Sequence, residues 1–71
     1  MFGIFRHSVK DLLKEKKMTY SQLSVLSNIP ESTIKCFMSG ANESRRIAEK
    51  IVDALDVSME YQNGTYSIKI I

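Results

Sequence analysis

Glu31, Ser32, Lys35, Cys36 and Ser39 bring a carboxylate, two hydroxyls, an ammonium and a thiol into one short stretch of a 71-residue chain. At helical spacing these side chains fall on one face, where they can donate and accept hydrogen bonds. They do not make a catalyst. His7 and Cys36 are the only histidine and cysteine, no motif pairs a nucleophile with a base, and no cluster has metal-ligand spacing. A binding protein without metal or cofactor is expected, not an enzyme. His7 reads as an exposed residue near a helix start, or as a phosphate contact.

The elements that must position this polar face lie in residues 19–40, TYSQLSVLSNIPESTIKCFMSG, which predict two short helices joined by a tight turn. Thr19 and Gln22 form a T-x-x-Q capping box with Met18 and Leu23 as its hydrophobic staple, a phase that turns Leu23 and Leu26 inward. The turn falls at Ser27-Asn28-Ile29. Ile34, Phe37 and Met38, at i, i+3 and i+4, give the second helix one apolar stripe and leave the polar set opposite. Two helices crossing through such a turn form a helix-turn-helix, whose second helix enters the major groove of DNA. There Ser32 can donate or accept, Glu31 can accept from a cytosine amino group, and Lys35 can reach guanine or a phosphate. Glu31 also suits the first helical turn, where it stabilises the helix dipole, and the two roles can coexist.

The same stretch resembles the helix-turn-helix of the Cro/repressor family of bacteriophage and bacterial DNA-binding regulators, whose usual run is close to TQxELAxxxGVSxSTISxxExG. Thr19, Leu23, Ile29, Ser32, Thr33, Ile34 and Gly40 fall on matching positions, over about a third of the chain. Tyr20 stands where the family has Gln, Ser24 where it has Ala, and Met38 where Glu is common. Asn28 replaces the turn Gly and can adopt the left-handed conformation. Pro30 replaces Ser at the start of the second helix, where a fixed φ does little harm. By this resemblance Glu31, Ser32 and Cys36 meet bases, and Tyr20 and Ser39 meet phosphates; Thr19 is a further candidate for backbone contact. Asn42, Arg45 and Arg46 follow directly, in the loop and helix start that resembling repressors use for backbone contacts. Lys35 joins the base-contacting set on its chemistry. Asn42 is a candidate for base contact and, as a structural alternative, for the N-cap of the next helix. Two arginines beside the groove-facing helix suit charge-assisted phosphate binding.

The resemblance implies a sequence-specific transcriptional regulator, a repressor of the compact phage Cro-like kind that occludes a promoter. It would bind a pseudo-palindromic operator on double-stranded DNA as a homodimer, because one small domain makes too few base contacts for useful specificity. The same elements also resemble antitoxins, which bind DNA and a toxin together. A protein-interaction module gripping a partner through its last segment is therefore the alternative.

The remaining segments complete a mainly α, single-domain fold. Residues 1–5, MFGIF, read as a brief strand or arm with Phe2 and Ile4 on one face. Ser8 and Asp11 offer an S-x-x-D capping box for a first helix running to about Lys17, with Val9, Leu12 and Leu13 inward and Lys10, Lys14 and Lys17 outward. Gly40 stops the second motif helix. A fourth helix follows, its stripe made by Ile47, Ala48, Ile51, Val52 and Leu55, with Arg45, Arg46, Glu49, Lys50 and Asp53 off that stripe. In VSMEYQNGTYSIKI the period changes to two around Asn63-Gly64, the dipeptide of a type I′ hairpin turn. That turn sets Tyr61 opposite Tyr66, Met59 opposite Ile68 and Val57 opposite Ile70, with Ser58, Glu60, Gln62, Thr65, Ser67 and Lys69 on the other face. The expected architecture is four helices, with the helix-turn-helix at the second and third, and a C-terminal β-hairpin over residues 57–71 that residues 1–5 could extend as a third strand.

Such a small chain has little core, and one cysteine cannot close an internal disulfide, so compact packing or oligomerisation must help. A hairpin is marginal alone. Met59, Tyr61, Tyr66, Ile68 and Ile70 on its apolar face are the candidate dimer contact. The free thiol suits a reducing cytoplasm, MFGIF is too short for a signal-peptide core, and no apolar run approaches the roughly 20 residues of a membrane span. A formal charge of +2 does not by itself imply nucleic acid.

Overall fold

Phe2, Phe5, Val9, Leu12 and Leu13 recur at helical spacing and are all buried along one side of the first helix, α1 (Gly3–Lys16). The structure, a computed structural model, describes residues 1–69. After α1 come α2 (Tyr20–Ser27), α3 (Glu31–Ser39), α4 (Arg45–Ala54), and an antiparallel hairpin of β1 (Ser58–Gln62) and β2 (Thr65–Lys69). Four helices and a C-terminal hairpin are the architecture expected from the periodicities. No helix among the described residues is long and apolar enough to cross a membrane.

The start of the chain departs from expectation. Residues 1–5 form no strand: Phe2 is the N-cap of α1, and Ser8 lies inside the helix instead of capping it. Phe2 is fully buried while Ile4 is 60% exposed, so the two do not share a face. The reason is aromatic packing. Phe2, Phe5 and Phe37 meet edge to face with centroids 5.3 to 5.9 Å apart, a contact that extends the helical period of Val9 and Leu12 back to Phe2. A left-handed Lys17 ends α1, and the Met18 N–H closes back on the Leu13 carbonyl at 2.8 Å.

In α2 the capping box forms as expected: Thr19 Oγ1 accepts from the Gln22 N–H at 3.1 Å, and the Thr19 N–H donates to Gln22 Oε1 at 2.9 Å. The inward phase holds for Leu23 and fails for Leu26, which is 58% exposed. Ser27 takes the inward place, its hydroxyl donating to the Leu23 carbonyl at 2.6 Å. Adjacent helical residues point about 100° apart, so a face carrying both Leu23 and Ser27 turns Leu26 away.

Asn28 occupies the left-handed turn position at φ 58°, and Pro30, at φ −55°, is the N-cap of α3. Ile34, Phe37 and Met38 are buried beneath α3, and Gly40 ends it at φ 95°. The cap of α4 is Ser44, not Asn42: Ser44 Oγ accepts from the Ile47 N–H at 3.4 Å. Asn42 acts just before the helix, its Oδ1 accepting from the Ser44 N–H at 2.8 Å and folding the loop into the cap.

The hairpin register is the expected one, Tyr61 opposite Tyr66 and Met59 opposite Ile68, around Asn63 and Gly64 at φ 53° and 78°. The Val57–Ile70 pairing lies outside the described residues. β2 packs on α1 and β1 on α4. Tyr66 is buried and stacks on Phe2 with centroids 4.6 Å apart at 9°, and its N–H donates to the Met1 carbonyl at 3.0 Å. The N-terminal segment therefore meets the edge of β2 through one hydrogen bond without becoming a strand.

Candidate nucleic-acid interface

The outer side of α3 carries Ser32, Lys35, Cys36 and Ser39, all exposed, and a half-exposed Glu31. Its inner side is held by the fully buried Ile34 and Phe37 and by Met38. The fold thus gathers the four predicted base-contacting residues of this helix on one face, with Ser39 at its end. Lys35 Nζ lies 3.0 Å from Glu31 Oε2 one turn away. The hydrogen bond from Lys35, one from the Ser21 hydroxyl and the Lys35 charge hold the Glu31 carboxyl below the ordinary glutamate value. Glu31 is therefore ionised at neutral pH, and the pair places a neutralised acceptor and donor side by side. Ser39 turns inward on its own helix, its hydroxyl donating to the Cys36 carbonyl at 2.8 Å.

The predicted backbone contacts have unequal freedom. Thr19 is exposed but its side chain serves the capping box, and Tyr20 is partly buried against the core. Asn42 is half-buried and its side-chain oxygen serves the α4 cap, which leaves its amide N–H groups to donate. Arg45 is held by Glu49 at 3.0 Å. Arg46 is exposed and makes no ion pair among the described residues.

The predicted dimer residues fare differently. Tyr66 is a core residue of its own chain, because its ring is stacked on Phe2. Met59 and Ile68 are half-buried against that core. Tyr61 remains 59% exposed, and Ile70 lies outside the described residues.

Two features escape a reading by local pattern. The Arg6 guanidinium, its side chain 13% exposed, donates from Nε to the Phe37 carbonyl at 2.6 Å and from Nη2 to the Asn42 carbonyl at 3.0 Å. It also meets Glu43 at 3.1 Å and sits 5.0 Å from the Phe37 ring centroid. The available signal was its place one turn after Phe2, on the aromatic side of α1. The second feature is an apolar exposure on α2, where Val25 is 82% and Leu26 58% exposed. Among the described residues no three His, Cys, Asp or Glu side chains gather to hold a metal ion.

No protein-family model, curated protein or solved structure matches the chain.

Proposed function

We propose that this chain is a sequence-specific regulator that binds double-stranded DNA, a repressor acting as a homodimer on a pseudo-palindromic operator in the cytoplasm. The observation that carries the reading is the two-sided character of α3: Ile34, Phe37 and Met38 fix it to the core, while Ser32, Lys35 and Cys36 face solvent together. In the major groove Ser32 and Cys36 meet base edges, and the Glu31–Lys35 pair offers an acceptor and a donor to a cytosine and a guanine. Thr19, Tyr20 and Ser39 lie along the phosphates, Asn42 reaches in with its amide, and Arg45 and Arg46 neutralise the backbone beyond. The dimer contact is assigned to the β1 side of the hairpin, at Tyr61 and Met59. Bound over a promoter, the dimer excludes polymerase.

Binding to duplexes selected from random sequence, titrated with salt, tests this reading. Affinity that falls steeply with salt and exceeds that for random duplex supports it, and no binding at low salt overturns it. A second reading, a protein-interaction module, draws support from the modest charge of +2 and from the solvent-facing Val25 and Leu26.

A further inference from the structure

We infer that copies of this chain associate head to tail, the acidic and apolar outer side of α1 in one copy seating on a lysine-rimmed groove beside α2 of the next. The inference stands without the DNA reading. The groove, about 410 Å³, is lined by Lys16, Lys17, Met18, Gln22, Val25 and Leu26. Single exposed leucines are ordinary on protein surfaces. Here Val25 and Leu26 are adjacent and join Met18 in one depression whose lining holds two ammonium groups and no carboxylate. An apolar floor under a cationic rim fits a helix that presents an aliphatic side chain with carboxylates on the same stripe.

The chain itself displays such a helix. Ile4, Ser8, Asp11 and Glu15, at i, i+4, i+7 and i+11, follow one stripe of α1. Ile4 is 60% exposed, the Asp11 side chain is 68% exposed, and Glu15 is exposed. Asp11 and Glu15 also border a shallow groove of about 150 Å³ with Leu12 at its wall. Among the described residues Asp11 meets only the exposed His7, at 3.7 Å, and Glu15 has no ion pair. Two lysine-rimmed grooves would repel one another, so a symmetric contact through the groove is disfavoured, whereas groove against stripe joins opposite charges and covers Val25, Leu26 and Ile4 at once. Because the two surfaces differ, each pair leaves one groove and one stripe free to take a further copy. Neither surface contains a residue assigned to DNA, so assembly and operator binding can occur together, and neighbouring operators would then fill cooperatively.

Sedimentation of the full chain from low micromolar to submillimolar concentration tests this. The average mass should keep rising with concentration, and high salt should weaken the rise. Leu26→Glu and Ile4→Glu should each stop it, and mixing the two variants should give a complex of one copy of each that grows no further, since the stripe of the first still seats on the groove of the second. Both positions are exposed, so melting temperatures should hold. A second pair guards against local distortion: Lys16→Glu with Lys17→Glu, and Asp11→Lys with Glu15→Lys, should each weaken association at least about fivefold. Mixing those reversed proteins should recover it. A wild-type mass that stops at a dimer, variants without effect, or a loss in Leu26→Glu that Ile4→Glu does not complement would overturn the head-to-tail contact. None of these variants alters a residue assigned to DNA, so binding of the two single variants to one operator tests the DNA reading separately.

Discussion

The Arg6 side chain donates to the carbonyl of Phe37 at 2.6 Å, tying the first helix to the last turn of the third. That carbonyl lies at the C-terminal end of α3, where it also accepts from the Gly40 N–H at 3.2 Å and where the helix dipole favours a cation. The same guanidinium reaches Asn42 and Glu43, so one side chain fastens α3 and the loop after it to α1. Arg6→Ala should cost about 2–3 kcal/mol, from two lost charge-assisted hydrogen bonds to part-buried carbonyls and a lost cation–aromatic contact. Arg6→Lys should recover only part, since an ammonium lacks the planar fork. Urea denaturation measures both. A loss below about 0.5 kcal/mol, ordinary for surface changes, would mean the clamp is not closed in solution.

The outer face of α3 should matter for DNA and not for folding. Ser32→Ala or Lys35→Ala should cost roughly 1–3 kcal/mol at the selected site, and the melting temperature should scarcely move, because an exposed i, i+4 pair contributes only a few tenths. Equal losses on specific and random duplexes would reassign both residues to phosphates. Arg45→Ala and Arg46→Ala should weaken binding to any duplex and lower the salt slope by about 1 for each lost contact. The larger effect belongs to Arg46, since Arg45 is partly neutralised by Glu49.

Glu31 gives a pH signature with a definite sign. Its carboxyl is held low in the folded chain chiefly by the hydrogen bond from Lys35. A depressed folded value means that the pair helps the folded state above the unfolded glutamate value and is lost as pH falls through the folded one. In an NMR titration the Glu31 carboxyl should therefore titrate below the ordinary glutamate value, and Lys35→Ala should raise its midpoint. An unmoved midpoint in that variant would show that the ion pair does not persist in water.

The two tyrosines of the hairpin should separate stability from assembly. Tyr66 is buried on Phe2, so Tyr66→Ala should destabilise the chain by about 3 kcal/mol. Tyr61 is 59% exposed and packs across the hairpin on Tyr66 with centroids 4.6 Å apart, so Tyr61→Ser should cost no more than about 1 kcal/mol of stability while weakening the dimer that the DNA reading requires. Cutting the chain after Ser58 removes Tyr66 as well and should unfold it. Should Tyr61→Ser sediment as the wild type does under dilution, the dimer contact lies elsewhere.

What the sequence determined by itself are the features decided over a few residues. Thr19 and Gln22 cap each other across one turn, Asn28 and Gly40 take left-handed positions that stop helices, and Asn63-Gly64 sets the hairpin register. The polar face of α3 was equally legible, because Ile34, Phe37 and Met38 leave only one side for Ser32, Lys35 and Cys36. Tertiary structure decided which apolar and charged residues those elements bury. Phe2 became the cap and Phe5 part of the first helix because Phe37 supplies the ring they pack on, and Tyr66 entered the core because Phe2 offered a face. Ser27 displaced Leu26 from the interior although the capping box led to the expectation that Leu26 points inward. Arg6 is the extreme case, its partners lying 31 and 36 residues away. A capping hydrogen bond is chosen among neighbours in the chain, whereas burial depends on which distant surface arrives, and that surface exists only once the chain has folded.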